Sequence, residues 1–103
     1  MKYLSTRDRA LRVTGAEAVK RGLSRDGGLL TPEAVPQIGE AFLKSLTGAS
    51  YQERAAKVMA LYLTDYSEEE LLGFANNAYG PDKYGHPAAA PLRKVDGSTH
   101  CLE

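Results

Sequence analysis

The sequence predicts a mostly helical α+β fold of about four short helices, with a short N-terminal strand and a C-terminal β-hairpin. Capping-box patterns, in which Glu follows a Ser or Thr by three positions, mark helix starts at Thr14, Ser50 and Ser67. Runs of strand-forming residues lie near both ends of the chain. A stretch from Gly22 to Pro36, with three glycines and two prolines, separates two differently patterned halves.

Length and composition limit the classes of protein to which this chain could belong. A chain of 103 residues accommodates one domain, 1–103, with one modest core. Its hydrophobic fraction of 43% and charged fraction of 25% are ordinary for a globular protein and give no indication of disorder or of a membrane span. Thirteen basic and thirteen acidic residues cancel, which removes the electrostatic reason to expect a nucleic-acid or membrane partner. The single cysteine, Cys101, and the lack of a long apolar run at the N-terminus predict a cytoplasmic protein.

The first elements are a strand and a short helix. Residues 2–6 weakly alternate and favour a strand, followed by an exposed charged turn at 7–9. The box at Thr14 predicts that its hydroxyl accepts from the N–H of Glu17 while the glutamate reaches back to the N–H of Thr14. About two helical turns then end at Gly22.

The stretch from Gly22 to Pro36 allows a structural and a functional interpretation. In the structural one, the chain turns at Asp26-Gly27-Gly28, runs as a strand through Leu29-Leu30 and is stopped by Pro32. In the functional one, the glycines cradle a phosphate. The stretch contains neither a phosphate loop ending in Gly-Lys-Ser/Thr nor the pattern Gly-x-Gly-x-x-Gly, which favours the structural interpretation.

Three further helices are predicted in a row. The second, ended by Thr47-Gly48, is indicated by apolar residues at helical spacing: Ile38, Phe42, Leu43 and Leu46. The third begins at Ser50, with a buried stripe of Tyr51, Ala55, Val58, Met59, Tyr62 and Tyr66. The fourth begins at Ser67 and ends at Gly80-Pro81, with a buried face of Leu71, Leu72, Ala75, Ala78 and Tyr79.

The C-terminal part is predicted to be an irregular connector, 81–91, followed by a hairpin. Strands 92–95 and 98–102 flank Asp96-Gly97, a dipeptide that supplies the positive φ angles of a tight turn. Because the second strand stops at Glu103 with no cap or polar tail, we expect the chain to be a truncation.

Few residue groups indicate chemistry. His86, His100 and Cys101 lack metal-ligand spacing, so no metal site is predicted. His100 and Cys101 could form a thiolate pair, but strand neighbours point to opposite faces, which favours one buried and one exposed residue. Residues 68–70, all glutamates, could be general acids, but a helix start already explains them.

Two groups of residues remain to be considered, one aromatic and one polar. Tyr51, Tyr62 and Tyr66 could line a pocket, but aromatic residues at helical spacing favour a core with hydroxyls reaching the surface. Ser5-Thr6-Arg7 combines two hydroxyls and a guanidinium that could bind a phosphate or carboxylate, although a turn bonded to its own backbone explains it too. We predict no catalytic, cofactor-binding or metal residue, and keep Ser5, Thr6 and Arg7 as candidate anion or substrate-cleft contacts.

Several of these segments together carry a resemblance. The chain resembles the amino-terminal domain of threonine synthases over essentially its whole length, with Asp8 and Leu30 departing from the common pattern. The matching segments are Tyr3-Leu4-Ser5-Thr6-Arg7, Lys20-Arg21-Gly22-Leu23, Asp26-Gly27-Gly28-Leu29-Leu30, Pro32-Glu33, Ala88-Ala89-Ala90-Pro91-Leu92 and Cys101-Leu102-Glu103.

The resemblance implies a pyridoxal-phosphate enzyme, of the fold type shared with tryptophan synthase β, that converts O-phospho-homoserine and water to threonine and phosphate. In that family the cofactor-binding lysine lies in a Phe-Lys-Asp segment beyond the position of Glu103, so no family catalytic or cofactor residue can be assigned to this chain. The chain alone is therefore expected to be inert, to partner the rest of a threonine synthase chain as a cap bordering the substrate cleft, and to self-associate through exposed apolar surface.

Two alternatives stay open. One is a small helical anion-binding or protein-interaction module that uses Ser5-Thr6-Arg7 with Arg9 and Arg12. The other is the cap of a threonine-synthase-like phospho-lyase that releases a keto acid from a phosphorylated hydroxy amino acid.

Overall fold

The computed structural model describes residues 1–103 and confirms the predicted α+β architecture. Four helices and five strands occur in the order β1 (Tyr3–Ser5), β2 (Arg12–Val13), α1 (Gly15–Arg21), β3 (Leu30–Pro32), α2 (Glu40–Leu46), α3 (Tyr51–Tyr62), α4 (Glu68–Ala78), β4 (Leu92–Asp96) and β5 (Thr99–Leu102). None of the helices combines the length and apolarity that crossing a membrane requires.

The first strand is the centre of a three-stranded antiparallel sheet with the order β2-β1-β3. Strand β2 was not predicted, because two residues are too few to show an alternating pattern. Pro32 was predicted to stop β3 but is its last residue, opposite Tyr3. The Leu29 carbonyl accepts from the N–H of Thr6, and the Glu33 N–H donates to the carbonyl of Lys2. Pro32 alternates with these hydrogen-bonding positions, and its nitrogen lies on the open side of an edge strand. The lack of an N–H on proline therefore costs no hydrogen bond of the sheet.

Only one of the two hydrogen bonds of the predicted capping box forms at the start of helix α1. The Thr14 hydroxyl accepts from the N–H of Glu17 at 3.1 Å, as predicted. The reciprocal bond predicted from Glu17 is absent, because its carboxylate pairs with Arg21 one turn further along the helix. Gly22 ends the helix with a φ of 72°, which confirms its predicted place.

Complete capping boxes begin α3 and α4, as the sequence predicted. The side chains of Ser50 and Glu53, and of Ser67 and Glu70, each satisfy the other residue's backbone N–H. These two helices pack against each other.

The buried positions of these helices differ from the predicted stripes. On α3 the buried residue is Ala56, whereas Val58 is exposed and Tyr66 lies beyond the helix end. On α4, Leu71 and Ala75 are buried as predicted, but Ala78 is exposed. The small Ala56 side chain is buried on α3, which packs against α4, and the larger residues of the predicted stripe are partly or fully exposed.

Helix α2 is attached by polar contacts. It has no buried residue, and Ile38, predicted as part of it, precedes its start. Arg54 Nε donates to the carbonyl of Leu46 at 3.1 Å, and Lys57 Nζ donates to that of Ser45 at 2.9 Å. Two cations on α3 therefore satisfy carbonyls at the C-terminal end of α2, where the helix dipole favours positive charge.

The C-terminal hairpin is confirmed, but its turn is shifted by one residue. Asp96 pairs with Thr99, so the turn residues are Gly97 and Ser98, and Gly97 does not adopt the predicted positive φ. Val95 is an extra residue between two ladder pairs, a β-bulge that adjusts the twist. The preceding residues, 81–91, form the predicted irregular connector.

The core is smaller and more divided than expected. Twelve of 103 residues are buried, and the main cluster, Tyr3, Val13 and Ala18, lies under the sheet with Leu63 packed against it. The radius of gyration is 16.3 Å, whereas a compact domain of this length has a value of about 13 Å. We refer to residues 1–33 as the sheet lobe and to residues 40–80 as the helical lobe.

Candidate functional site

The candidate site begins where β1 meets the glycine-rich turn. The Ser5 hydroxyl lies 2.8 Å from both carboxylate oxygens of Asp26 and donates to them. The same hydroxyl oxygen accepts from the backbone N–H of Arg7 at 3.1 Å. Ser5 is only 1% exposed, so its hydroxyl is fully used within the protein.

The turn itself is held by Asp26. Its carboxylate accepts from the N–H of Gly28 at 2.9 Å, while the N–H of Gly27 donates to the carbonyl of Ser24 at 2.9 Å. The Gly28 N–H, and then the Ser5 hydroxyl, stabilise the charged carboxylate and hold the pKa of Asp26 below its usual value. This bonding confirms the structural interpretation of the stretch.

Glycine is required at two positions in this turn. Gly27 has a φ of +77°, a region that other residues rarely adopt. A Cβ on Gly28 would collide with the Ser5 hydroxyl and would lie 3.1 Å from the backbone nitrogen of Arg7. The glycines therefore allow β1 and the turn to approach closely, and they do not form a phosphate cradle.

The other two candidate residues belong to the same network. Thr6 Oγ1 accepts from the N–H of Leu29 at 3.0 Å, and the Thr6 N–H donates to the carbonyl of Leu29 at 2.9 Å. Arg7 Nη1 donates to the carbonyl of Asp26 at 3.1 Å, and this is the only hydrogen bond that the Arg7 guanidinium makes. The structure thus brings all three residues together with a partner that was not predicted to belong to the site.

Electrostatics decide what this arrangement can bind. The negative charge of Asp26 faces the Ser5 hydroxyl and repels an anion there. Arg12 is paired with Glu33 at 3.0 Å, whereas Arg7 and Arg9 are exposed and have no ion pair. Cationic donors for an anion are therefore available on Arg7 and Arg9, while Ser5 and Thr6 position the backbone.

The predicted structural interpretation of His100 and Cys101 is wrong. Both residues are exposed, because neither face of the hairpin is covered. His86 Nδ1 accepts from the N–H of Ala88 at 3.0 Å, a contact within the connector. No three His, Cys, Asp or Glu side chains converge on a point where a metal ion could be held.

The glutamates and tyrosines have structural contacts. Glu70 completes the cap of α4, as the structural interpretation requires. The tyrosines are partly exposed instead of forming the predicted core: the ring of Tyr51 packs edge-on against Tyr79 at 4.9 Å, and that of Tyr66 against Phe74 at 5.6 Å. Tyr51 also lines an open groove of about 460 Å³ between α3 and the hairpin, formed with residues such as Val58, Pro91, Leu92 and Leu102.

Two carboxylates were missed by the sequence analysis. Asp26 was predicted only as part of a turn. Its role as a hydrogen-bond acceptor could have been predicted from the sequence, because the side chain of an Asp in a turn commonly accepts from the backbone N–H two residues ahead. Asp65 accepts from the N–H of Ala16 at 2.6 Å. No local pattern could indicate that contact, because 49 positions separate the two residues.

The six lysines either bond to carbonyl or carboxylate groups or are exposed. The amino group of Lys57 donates to a carbonyl of α2, that of Lys83 donates to the carbonyl of Asn77 at 2.8 Å, and that of Lys44 pairs with Glu40 at 2.8 Å. Lys2, Lys20 and Lys94 are exposed. A lysine that binds an aldehyde cofactor needs a pocket with a phosphate cradle, and these residues do not fit that requirement.

Comparison with known proteins gives a consistent result. A protein-family model described as "Threonine synthase N terminus" matches residues 2–79. Threonine synthase of Schizosaccharomyces pombe is 32% identical and is covered over 20% of its length by the whole of this chain. Threonine synthase-like 1 of Homo sapiens is 34% identical over 85% of this chain and 12% of its own length.

A solved structure agrees with this match. The pyridoxal-phosphate-bound threonine synthase from Brucella melitensis superposes with a TM-score of 0.86 and 34% identity, over all of this chain and 22% of that protein. The chain spans about a fifth of the length of the threonine synthases that it matches.

Proposed function

The chain belongs to the threonine synthase N-terminal family, and from that membership we propose that it serves as the N-terminal region of a cytoplasmic threonine synthase. Such an enzyme converts O-phospho-homoserine and water to threonine and phosphate with pyridoxal phosphate. The observation that carries the proposal is the family match over residues 2–79. The junction of Ser5 with Asp26, in which the Ser5 hydroxyl is used within the protein, supports a structural role for this region. The chain is therefore a scaffold, and its partner is the rest of a longer threonine synthase chain.

We propose that this region contributes no group that forms or breaks bonds in the reaction and no ligand to the cofactor. Pyridoxal phosphate, when bound, supplies the electron sink for elimination and hydration. The positions of the six lysines support the proposal, because those with bonded amino groups contact carbonyls or carboxylates at the surface. The task left to this chain is to border the substrate cleft and to limit the access of water.

Within this region, Arg7 is the proposed contact to the substrate phosphate. Its backbone is fixed by Ser5, its Nη1 is oriented by the carbonyl of Asp26, and the rest of the guanidinium faces outward. Arginine suits a phosphate because its planar fork can donate two parallel hydrogen bonds. Ser5 and Thr6 act on the substrate through the position of Arg7.

The full-length enzyme with its cofactor tests the proposal. Release of phosphate and formation of threonine from O-phospho-homoserine are expected. Arg7→Ala should raise KM about tenfold with a smaller change in kcat, because a charge-assisted bond to phosphate is lost. Arg25→Ala, which removes an exposed arginine of the neighbouring turn, is the matched control and should leave KM unchanged. An unchanged KM in Arg7→Ala excludes the phosphate contact, and a lack of threonine excludes the threonine synthase activity.

The absence of catalytic groups has its own test. The 103-residue chain is mixed with pyridoxal phosphate and reduced with borohydride, and the lysines are mapped by mass spectrometry. Scattered, substoichiometric labelling is expected. A stoichiometric adduct at one lysine would contradict the scaffold role while leaving the family membership intact.

A phospho-lyase is the second candidate function within the same family. It stays open because the 34% identity to a protein named threonine synthase-like 1 is no lower than the identity to the threonine synthases. The same substrate would then give a 2-oxo acid, ammonia and phosphate. Chromatography of the products distinguishes that outcome from threonine and phosphate.

An anion-binding module is the remaining alternative. It is supported by the exposed, unpaired guanidinium groups of Arg7 and Arg9. Calorimetric titration of the 103-residue chain with inorganic phosphate separates the two classes. Tight binding that is lost in Arg7→Ala favours the module, whereas no heat of binding favours the scaffold.

A further inference from the structure

The sheet lobe and the helical lobe meet at the loop between α3 and α4. Three polar contacts cross this junction. The Ala16 N–H donates to Asp65 Oδ2 at 2.6 Å, the Tyr3 hydroxyl donates to the carbonyl of Tyr62 at 3.3 Å, and the N-terminal amine donates to Thr64 Oγ1 at 2.5 Å. All three acceptors lie within four consecutive residues of the helical lobe.

One apolar contact lies among these polar ones. Leu63 packs against the core cluster under the sheet, although it belongs to the helical lobe. Gly15 lies directly against it: a Cβ there would lie 3.0 Å from Leu63 and 3.4 Å from the ring of Tyr3, and closer still to Asp65. The first turn of α1 and the α3–α4 loop are therefore in close contact, with no room for one extra methyl group.

We propose that the α3–α4 loop is a latch that joins two separately folded lobes, in which Asp65 holds the first turn of α1 and Leu63 fills the core of the sheet lobe. Opening the latch changes the relation between the lobes without unfolding either of them. Each lobe has internal support that does not depend on the latch: the Ser5–Asp26 junction in one, and the α3–α4 contact with its buried Leu71 in the other.

The electrostatics of the junction agree with this role. The Ala16 N–H is the main reason that the pKa of Asp65 lies below its ordinary value of 3.8. Burial, and then the nearby charge of Asp65, raises the pKa of Tyr3, so its hydroxyl stays protonated and donates to Tyr62. The other ionisable groups at the junction are the N-terminal amine, which donates to Thr64, and Tyr62, whose carbonyl accepts from Tyr3. Tyr66 follows Asp65 in the sequence, and Glu17 follows Ala16 and is paired with Arg21.

Hydrogen exchange on the full chain tests the latch. Asp65→Ala is expected to speed exchange about tenfold at the first turn of α1 and in the α3–α4 loop, since one charge-assisted hydrogen bond is lost. The turn around Asp26 and the buried segment of α4 should keep their protection. Glu69→Ala, which removes an exposed carboxylate from the first turn of α4, is the matched control and should leave α1 unchanged.

Two further measurements keep the proposal falsifiable. Asp65→Asn retains a carbonyl acceptor and should restore most of the protection of α1. In the unsubstituted protein, the first turn of α1 should lose protection as the pH falls below about 4, and Asp65→Ala should abolish that dependence. Unchanged exchange at α1 in Asp65→Ala, a uniform increase along the whole chain, or an Asn variant that behaves like the Ala variant would each overturn the latch.

Discussion

The same dipeptide, Asp-Gly, occurs in two turns of this protein and behaves differently in each. At Asp26-Gly27 the glycine has a φ of +77°, and the carboxylate accepts from a buried serine and from the backbone. At Asp96-Gly97 the glycine has no positive φ, the carboxylate makes no hydrogen bond, and every residue of both strands is exposed. The dipeptide permits a tight turn, but a partner from elsewhere in the chain selects the conformation.

The two turns also differ in what they attach. The first joins β1 to the segment that leads into β3, so that a break there separates parts of the sheet lobe. The second closes a hairpin whose two strands form a sheet with each other alone. Substitutions in the two turns should therefore have unequal effects.

The largest expected difference is between two glycines. In Gly28→Ala the new Cβ collides with the Ser5 hydroxyl and crowds the carboxylate of Asp26, which should cost about 2–3 kcal/mol of stability. In Gly97→Ala the Cβ meets nothing within 4 Å, and the change should stay within about 0.5 kcal/mol. Urea unfolding followed by circular dichroism measures both, and equal losses would remove the distinction between the turns.

A smaller difference is expected for two hydroxyls. Ser5→Ala leaves the N–H of Arg7 and one side of the Asp26 carboxylate without a buried partner, which should cost about 1–2 kcal/mol. Thr99→Ala removes an exposed hydroxyl from β5 and should cost less than about 0.5 kcal/mol. The same unfolding measurement applies, and a neutral Ser5→Ala would show that the junction contributes little.

The acid limb of stability should depend on one of the two aspartates. Because the folded protein lowers the pKa of Asp26 below 3.8, its charged form adds stability above that pH, and the contribution disappears as the pH falls through the lowered value. Asp26→Asn should therefore flatten the loss of stability between neutrality and strong acid, although Glu53 and Asp65, whose pKa values are also lowered, keep part of it. Asp96→Asn is the matched control, and an acid limb that is the same in both variants would contradict the assignment.

The smallest effect on stability is expected on the hairpin. Leu92 and Leu102 face each other across the strands and are 69% and 67% exposed. Replacing both with serine should leave the unfolding midpoint nearly unchanged but should reduce self-association, because it shrinks an exposed apolar surface. Sedimentation velocity across a concentration series measures association. A monomer before substitution would contradict the expected self-association.

Local patterns predicted the elements that are stabilised locally. Ser50 and Ser67 start their helices because the partners of each cap lie three residues away, and Gly22 ends α1 because few other residues tolerate its φ. Burial was predicted less well. The stripe on α3 assumed that its large residues face a core, whereas the contact with α4 places Ala56 at the centre.

The candidate site likewise has features that the sequence predicted and features that only the fold produces. Ser5, Thr6 and Arg7 could be selected from their chemistry, and the turn at Asp26 from its glycines, but only the fold brings a carboxylate onto the Ser5 hydroxyl and leaves Arg7 as the outward-facing donor. The contact of Asp65 with Ala16 was invisible in the sequence because long-range pairs carry no periodic signal.

The amino-acid sequence by itself determined the capped starts of α1, α3 and α4, the end of α1 at Gly22 and the existence of both turns, because the interactions responsible act within a few residues. The tertiary structure decided which turn has a buried partner, which residues are buried, and how the two lobes meet. Those outcomes depend on groups distant in the chain, and their free energies exist only once the chain has brought them into contact.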